Sequence, residues 1–244
     1  MGPDGKLIVF VDDLDRCLPE NALTVLESLK LYLDRANCVF IIGLDKRVIE
    51  QAVKQRYKSL VGVTGKEYIE KMIQLNFFLP EKDPIEVKRI LQVGLNARYA
   101  ENHKMWKLIQ DATKCNVRKV KQFTIAFHII EEIAIELRIE KTMYDKLAKI
   151  LLIQMNFPNF LDALLNNNNL LRKFEIIFEA EDKDLDKVKA ALTNDLDGKR
   201  FTEDDHLLTF LMENNNYPKG LSEAKEIKKV LQILSVNGNT AIPI

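Results

Sequence analysis

The stretch Leu7-Ile8-Val9-Phe10-Val11-Asp12-Asp13-Leu14-Asp15-Arg16-Cys17 decides how the chain is read. Five consecutive apolar residues, four of them aliphatic, predict a strand buried on both faces, as in a parallel sheet. Three carboxylates follow within four positions. Like charges that close repel unless a cation or hydrogen-bond donors compensate them. A helix start would account for one of them, Asp15, through capping and the helix dipole. It does not account for three.

Working outward, Pro19 and Glu20 suit the first turn of a helix running to about Arg35, with Leu23, Leu26, Leu29 and Leu33 on one stripe. Cys38–Leu44 is a second continuous apolar run and predicts another buried strand. A helix between two such strands is a βαβ unit, which makes the pair parallel. Ligands gather at the carboxyl ends of parallel strands. Asp12, Asp13 and Asp15 therefore belong at one end of the sheet, with Asp45 beside them after Gly43-Leu44. Asp45 has two readings of equal standing, a γ-phosphate sensor and the cap of a helix from Lys46 to Leu60.

Gly62-Val63-Thr64-Gly65-Lys66-Glu67 is a loop and helix cap. Its glycines lack the four-residue spacing of a phosphate loop, and Glu stands where Ser or Thr would bind Mg²⁺. Thr64 and Glu67 form a capping box opening a helix to about Gln74. Leu75–Leu79 predicts a third strand, stopped by Pro80. Beyond Pro80 the strand pattern gives way to helical periodicity. Helices are expected over 84–100, 116–137, from Thr142 to before Pro158, and near 160–165, 170–178, 185–192, 203–213 and 222–234. Asn166–Asn169 is a polar break and candidate linker, and the tail after Gly238 is expected to be loose.

The 244 residues are 47% hydrophobic and 30% charged, with zero formal net charge, which fits a globular protein and implies no broad attraction to polyanions. Nucleic-acid binding by a local patch stays open. The longest apolar runs are too short to span a bilayer. The opening residues have no signal-peptide pattern, and Cys17, Cys38 and Cys115 lack disulfide or metal spacing, so a cytoplasmic location is expected. His103, His128 and His206 are too scattered for a metal site.

An apolar strand ending in carboxylates is the Walker B arrangement, in which a rigid carboxylate faces Mg²⁺ at the nucleotide phosphates. On this reading Asp12 holds Mg²⁺ through a water and Asp13 polarises the attacking water, or the order is reversed. The string Val9-Phe10-Val11-Asp12-Asp13-Leu14-Asp15-Arg16-Cys17 resembles the Walker B signature of the KAP family of P-loop NTPases. The likeness continues at Val39–Asp45, at Tyr68–Leu75 with Phe78-Leu79-Pro80, and at Asn116-Val117-Arg118-Lys119-Val120-Lys121-Gln122-Phe123, which is similar to a basic helix of that family with Val117 in place of Pro. It covers about residues 6–135.

The resemblance implies a P-loop ATPase core in which the phosphate-loop strand lies between the two strands named above. It implies ATP and Mg²⁺ as cofactors of the intact parent. It also implies nucleotide contacts by Asp15, Arg16, Asp45, Arg118 and Lys121, and a role in phage exclusion or membrane-associated assembly. Arg118 and Lys121, three apart on one helix face, have a plainer reading as a solvated surface.

The sequence contains no Gly-x-x-x-x-Gly-Lys-Ser/Thr. The expectation is therefore a fragment or truncated product of a parent ATPase, which alone binds no cofactor tightly and is itself inactive. Protein partners or self-association are expected, since a missing strand leaves an apolar slot. A non-catalytic helical interaction module is the alternative function. The expected fold class is an α/β remnant of a P-loop NTPase core, with two to three mostly parallel strands, followed by a mostly α-helical region. Its parts are residues 1–82 as the core, 83–157 as a lid-like helical region packed on it, and 158–244 as a C-terminal helical region.

Overall fold

A computed structural model describes residues 5–33, 37–57, 64–80, 83–94 and 101–235. The chain divides into two compact units, Met1–Leu79 and Pro80–Ile244.

The first unit is α/β. It contains β1 (Leu7–Val11), a 3₁₀ turn (Leu14–Arg16), α1 (Pro19–Leu33), β2 (Cys38–Ile42), α2 (Lys46–Arg56) and α3 (Gly65–Met72). β1 and β2 pair in parallel, with Leu7 opposite Cys38 and Val11 opposite Ile42. Leu23, Leu26, Ile49, Val53, Ile69 and Met72 form a small core, against which Val11, Ile42 and Leu44 pack. Asp45 caps α2 by accepting from the Arg47 amide. Thr64 and Glu67 make the expected reciprocal capping box on α3.

The three helices are also tied by polar groups. Glu27 of α1 accepts from the Tyr57 and Tyr68 hydroxyls at 2.8 and 3.1 Å and pairs with Arg56 at 3.3 Å. Burial, followed by the hydrogen bond to Glu27, raises the Tyr68 hydroxyl well above its ordinary pKa. At the start of α3, Gly65 lies so close to α2 that a Cβ there would stand 2.7 Å from backbone atoms of Glu50. Only glycine permits that approach of α3 to α2.

Two expectations need correction. The strands are not buried on both faces. Val9, Val11, Phe40 and Ile42 are half-buried, whereas Ile8, Phe10, Val39 and Ile41 on the other face are exposed, Phe10 by 73%. Full burial of a parallel sheet needs helices on both sides, and the described part of this unit clothes one. Nor is Leu75–Leu79 a strand. It runs without a sheet partner among the described residues, with Leu75, Phe77, Phe78 and Leu79 all exposed. A strand exists only through its hydrogen-bonded neighbour, which an apolar sequence alone does not supply. α3 also stops at Met72, because Ile73 is already extended.

The second unit is all helix among its described residues. It contains α4 (Pro84–Gly94), α5 (His103–Thr113), α6 (Val117–Glu136), α7 (Tyr144–Asn156), α8 (Pro158–Asn166), α9 (Leu170–Ala180), α10 (Leu185–Thr193), α11 (Asp205–Glu213) and α12 (Ala224–Ser235). Residues 95–100 and the tail after Gly238, both assigned above, lie outside the described residues. α7 is the central element. Its run Leu147–Ile153 is buried throughout, and it packs against α5, α6, α8 and α12. A helix apolar on all sides is one surrounded by others.

α5 was not expected from the sequence. Its signals were present: Asn102 caps it by accepting from the Lys104 and Met105 amides, and Met105, Leu108, Ile109 and Ala112 fall at helical spacing and are buried. Asn166 ends α8, and Asn167–Asn169 form a short turn rather than a linker. Helices on both sides of it meet in one aromatic cluster, where Phe160 stands 5.4 Å from Phe174 and 5.2 Å from Phe201.

Candidate nucleotide-facing edge

The parallel register sets the geometry of this edge. With Val11 opposite Ile42, Asp12 leaves β1 beside Gly43, and Asp45 leaves the same end of the sheet. The Gly43 amide donates to the Val11 carbonyl at 2.8 Å, extending the ladder by one step. The Asp12 carboxylate lies over Gly43, and a Cβ at position 43 would collide with its Oδ1. Glycine at 43 thus makes room for the carboxylate at 12.

Each acidic residue has a distinct situation. Asp12 Oδ1 accepts from the Asp13 amide at 2.9 Å. Asp13 itself takes a left-handed conformation, φ 59°, at the head of the 3₁₀ turn. Asp13 pairs with Arg16 at 2.9 Å, both side chains largely in solvent. Asp15 sits half-exposed within the turn. Asp45 pairs with Arg47 at 2.8 Å, and hydrogen bonds from the Arg47 guanidinium and amide hold its carboxyl below the usual carboxylate range. Asp12 therefore stands out. It is exposed and at the strand end, and like the half-buried Asp15 it has no cationic partner among the described residues.

The structure brings Asp12, Asp13, Asp15, Arg16 and Asp45 to one end of one sheet. Arg118 and Lys121 belong to the helical unit, exposed in the first turns of α6, whose amino end is capped by Asn116 accepting from the Lys119 amide at 3.2 Å. Two features were missed from the sequence. One is the role of Gly43 as the floor under Asp12. The other is Arg47 as the counter-charge of Asp45, legible only as a basic residue two positions after a cap.

The helical unit has an open cleft of about 1010 Å³ beside the start of α6, lined in part by Asp111, Lys114, Cys115, Arg118 and His206. His206 donates through Nε2 to the Asp111 carbonyl at 2.7 Å, which fixes its tautomer when neutral. Burial lowers its pKa, while burial followed by Asp111 raises that of the Cys115 thiol. Cys115 is thus a poor nucleophile. No group of His, Cys, Asp and Glu among the described residues has the arrangement of a metal centre.

Residues 3–134, more than half of the chain, match the KAP family P-loop domain. The chain belongs to the KAP family. Its relatives include the phage T7 exclusion protein of Escherichia coli strain K12, 30% identical over 98 residues that make up 40% of this chain and 13% of that protein. They also include the kinase D-interacting substrate of 220 kDa from Rattus norvegicus and Homo sapiens, each 22% identical over 89 residues, 35% of this chain and 5% of the relative. The chain thus spans only a small part of the length of these relatives. No solved structure matches it. KAP membership brings with it nucleotide use, with Mg²⁺, by proteins built on this domain. No described helix is long and apolar enough to cross a membrane.

Proposed function

We propose that these residues supply the Walker B half of a KAP ATPase acting in phage exclusion or membrane-associated assembly. The observation that carries this reading is the placement of Asp12, without a cationic partner, over Gly43 at the carboxyl end of two parallel strands. Mg²⁺, when bound, neutralises charge on the β- and γ-phosphates. Asp12 would hold it through a water, and a carboxylate without a cationic partner and the absence of a side chain at 43 suit that role. Asp13 would polarise the attacking water once nucleotide draws Arg16 away from it. Asp15, Arg16 and Asp45 would line the nucleotide. The three cysteines, all free thiols, support a reducing, cytoplasmic setting.

Phosphate release tests the reading. The 244 residues alone should release none above background, because no backbone cradle or Lys in them holds the phosphates. Joined behind a phosphate-loop segment from a family member, they should hydrolyse ATP. In that protein Asp12→Asn or Asp13→Asn should each lower kcat by about 10²-fold or more, the scale of losing a positioned acid–base or charge-stabilising group. Unchanged hydrolysis in both variants would overturn the assignment.

A second reading, a helical interaction module, is supported by the second unit. Its described helices close a large core of their own, and one relative's name records an interaction with a kinase.

A further inference from the structure

Among the described residues, α6 carries an unpartnered face with a definite charge order. Taking 100° per residue, Arg118, Lys121, Gln122, Ile125, Ile129, Glu132 and Glu136 fall on one side of the helix. All seven are exposed. Ile125 is 65% and Ile129 52% exposed, although Phe123, Phe127 and Ile130 on the opposite side are fully or almost fully buried. The two isoleucines occupy the middle of the face. Both basic residues lie towards its amino end and both acidic residues towards its carboxyl end. Among the described residues none of these four charged side chains makes an ion pair.

This order is self-complementary about the helix centre near residue 127. Laid antiparallel on a second copy of itself, α6 places Ile125 of one copy at the level of Ile129 of the other. It places Arg118 level with Glu136, and Lys121 within one residue of Glu132. A parallel arrangement instead sets Arg118 against Arg118 and Glu136 against Glu136. We propose that α6 is a homodimerisation helix, pairing antiparallel with α6 of a second copy of this chain across the Ile125–Ile129 face. A two-fold axis through the helix centre satisfies both ends at once, as an isologous interface requires. The apolar centre supplies the attraction, and the charged ends fix direction and register.

A 20-residue helix is about 30 Å long. A single pair of such helices offers less than the ~800 Å² per partner of a standard interface. The association should therefore be weak, with a dissociation constant of about 10–100 μM. This proposal goes beyond the nucleotide reading and does not depend on it, because the test involves neither nucleotide nor the Asp12 edge.

Sedimentation equilibrium of the full 244-residue chain, from about 5 to 300 μM, is the experiment. The expected result is a reversible monomer–dimer equilibrium. Ile125→Ser should weaken it at least tenfold. The residue is exposed, so the monomer's fold should be retained, with an unchanged circular dichroism spectrum as the check. Arg118→Glu and Glu136→Arg should each weaken the dimer, since each creates two like-charge encounters. The double variant carrying both should restore it to within about threefold of wild type, the usual limit of coupling measurements between neighbours. A chain monomeric throughout overturns the proposal, as does a dimer indifferent to Ile125→Ser. A double variant as weak as either single one overturns the antiparallel register.

Discussion

Replacing Phe160 with alanine should destabilise the helical unit by about 4 kcal/mol, the middle of the range for emptying a buried aromatic site. Phe160 is fully buried. It is held edge-on between Phe174 and Phe201, and Phe174 in turn meets Phe178 edge-on at 5.7 Å. These rings come from α8, α9 and the 3₁₀ turn Lys199–Phe201. Backbone held by three separate segments cannot close readily on the space one ring leaves, so the cavity term adds to the lost transfer energy. The check is urea unfolding of the full chain, followed on the transition of the helical unit. Leu196→Ala serves as the control. Leu196 is 98% exposed, and its loss should change stability by no more than about 0.5 kcal/mol. A loss below about 1.5 kcal/mol for Phe160→Ala would mean that the cluster is not a rigid part of the core.

The second large effect concerns Lys149. This lysine, on the central helix α7, is buried, and its Nζ donates to the Asn214 carbonyl at 2.5 Å and the Tyr217 carbonyl at 2.8 Å. Burial lowers its pKa to about 7, and Glu175 opposes the shift only in part. A neutral amine keeps two N–H donors, enough for both carbonyls, so losing the charge costs neither bond. The sign follows. In the unfolded chain the side chain holds its proton up to about pH 10.4, whereas in the fold it releases it near 7. Between these values the unfolded state binds more protons, so stability rises with pH. From pH 7 to 9 this group should add about 2.3 kcal/mol, since the slope reaches its full 1.36 kcal/mol per pH unit only once the folded-state lysine is fully deprotonated.

Lys149→Met should remove the rise, because a thioether does not titrate. Cys115 works in the opposite direction, since its raised pKa erodes stability as pH passes the ordinary thiol value. Taking the difference between wild type and variant cancels that contribution. A difference that stays flat from pH 7 to 9 would show that Lys149 keeps its proton in the fold. The position also explains why a lysine is tolerated there. It fastens the segment between α11 and α12 to the central helix at two carbonyls that an aliphatic residue would leave without these donors.

Much of this was legible in the sequence, for reasons that differ by region. The two strands and their parallel pairing followed from two short apolar runs separated by a leucine-striped helix, and that topology already placed Asp12 and Asp45 at one sheet end. Capping chemistry was equally readable, since Thr64, Glu67, Asp45 and Asn116 act on amides within their own turn. Burial was less readable. Val39 and Ile41 have the composition of core residues and stand in solvent, because burial depends on what covers a face and not on the face itself. Leu75–Leu79 fails for the same reason. The ion pairs at the edge lay between these cases. Arg16 and Arg47 are close in sequence to their partners, yet choosing which carboxylate each one neutralises, and so which is left for a cation, required coordinates.

The uneven clothing of the two units has a consequence for how the chain is made. The helical unit closes partly through contacts distant in sequence, α11 on α5 and α12 on α7, so it settles only once most of it exists. The sheet requires β1 to find β2 across residues 12–37, and non-local parallel pairing is slow. In synthesis β1 and β2 leave the ribosome before any of the helical unit exists. The strands made first keep Ile8, Phe10, Val39 and Ile41 bare on one face among the described residues. On the nascent chain these residues should form an adhesive apolar surface, and in heterologous expression they should set how much of the protein remains in solution.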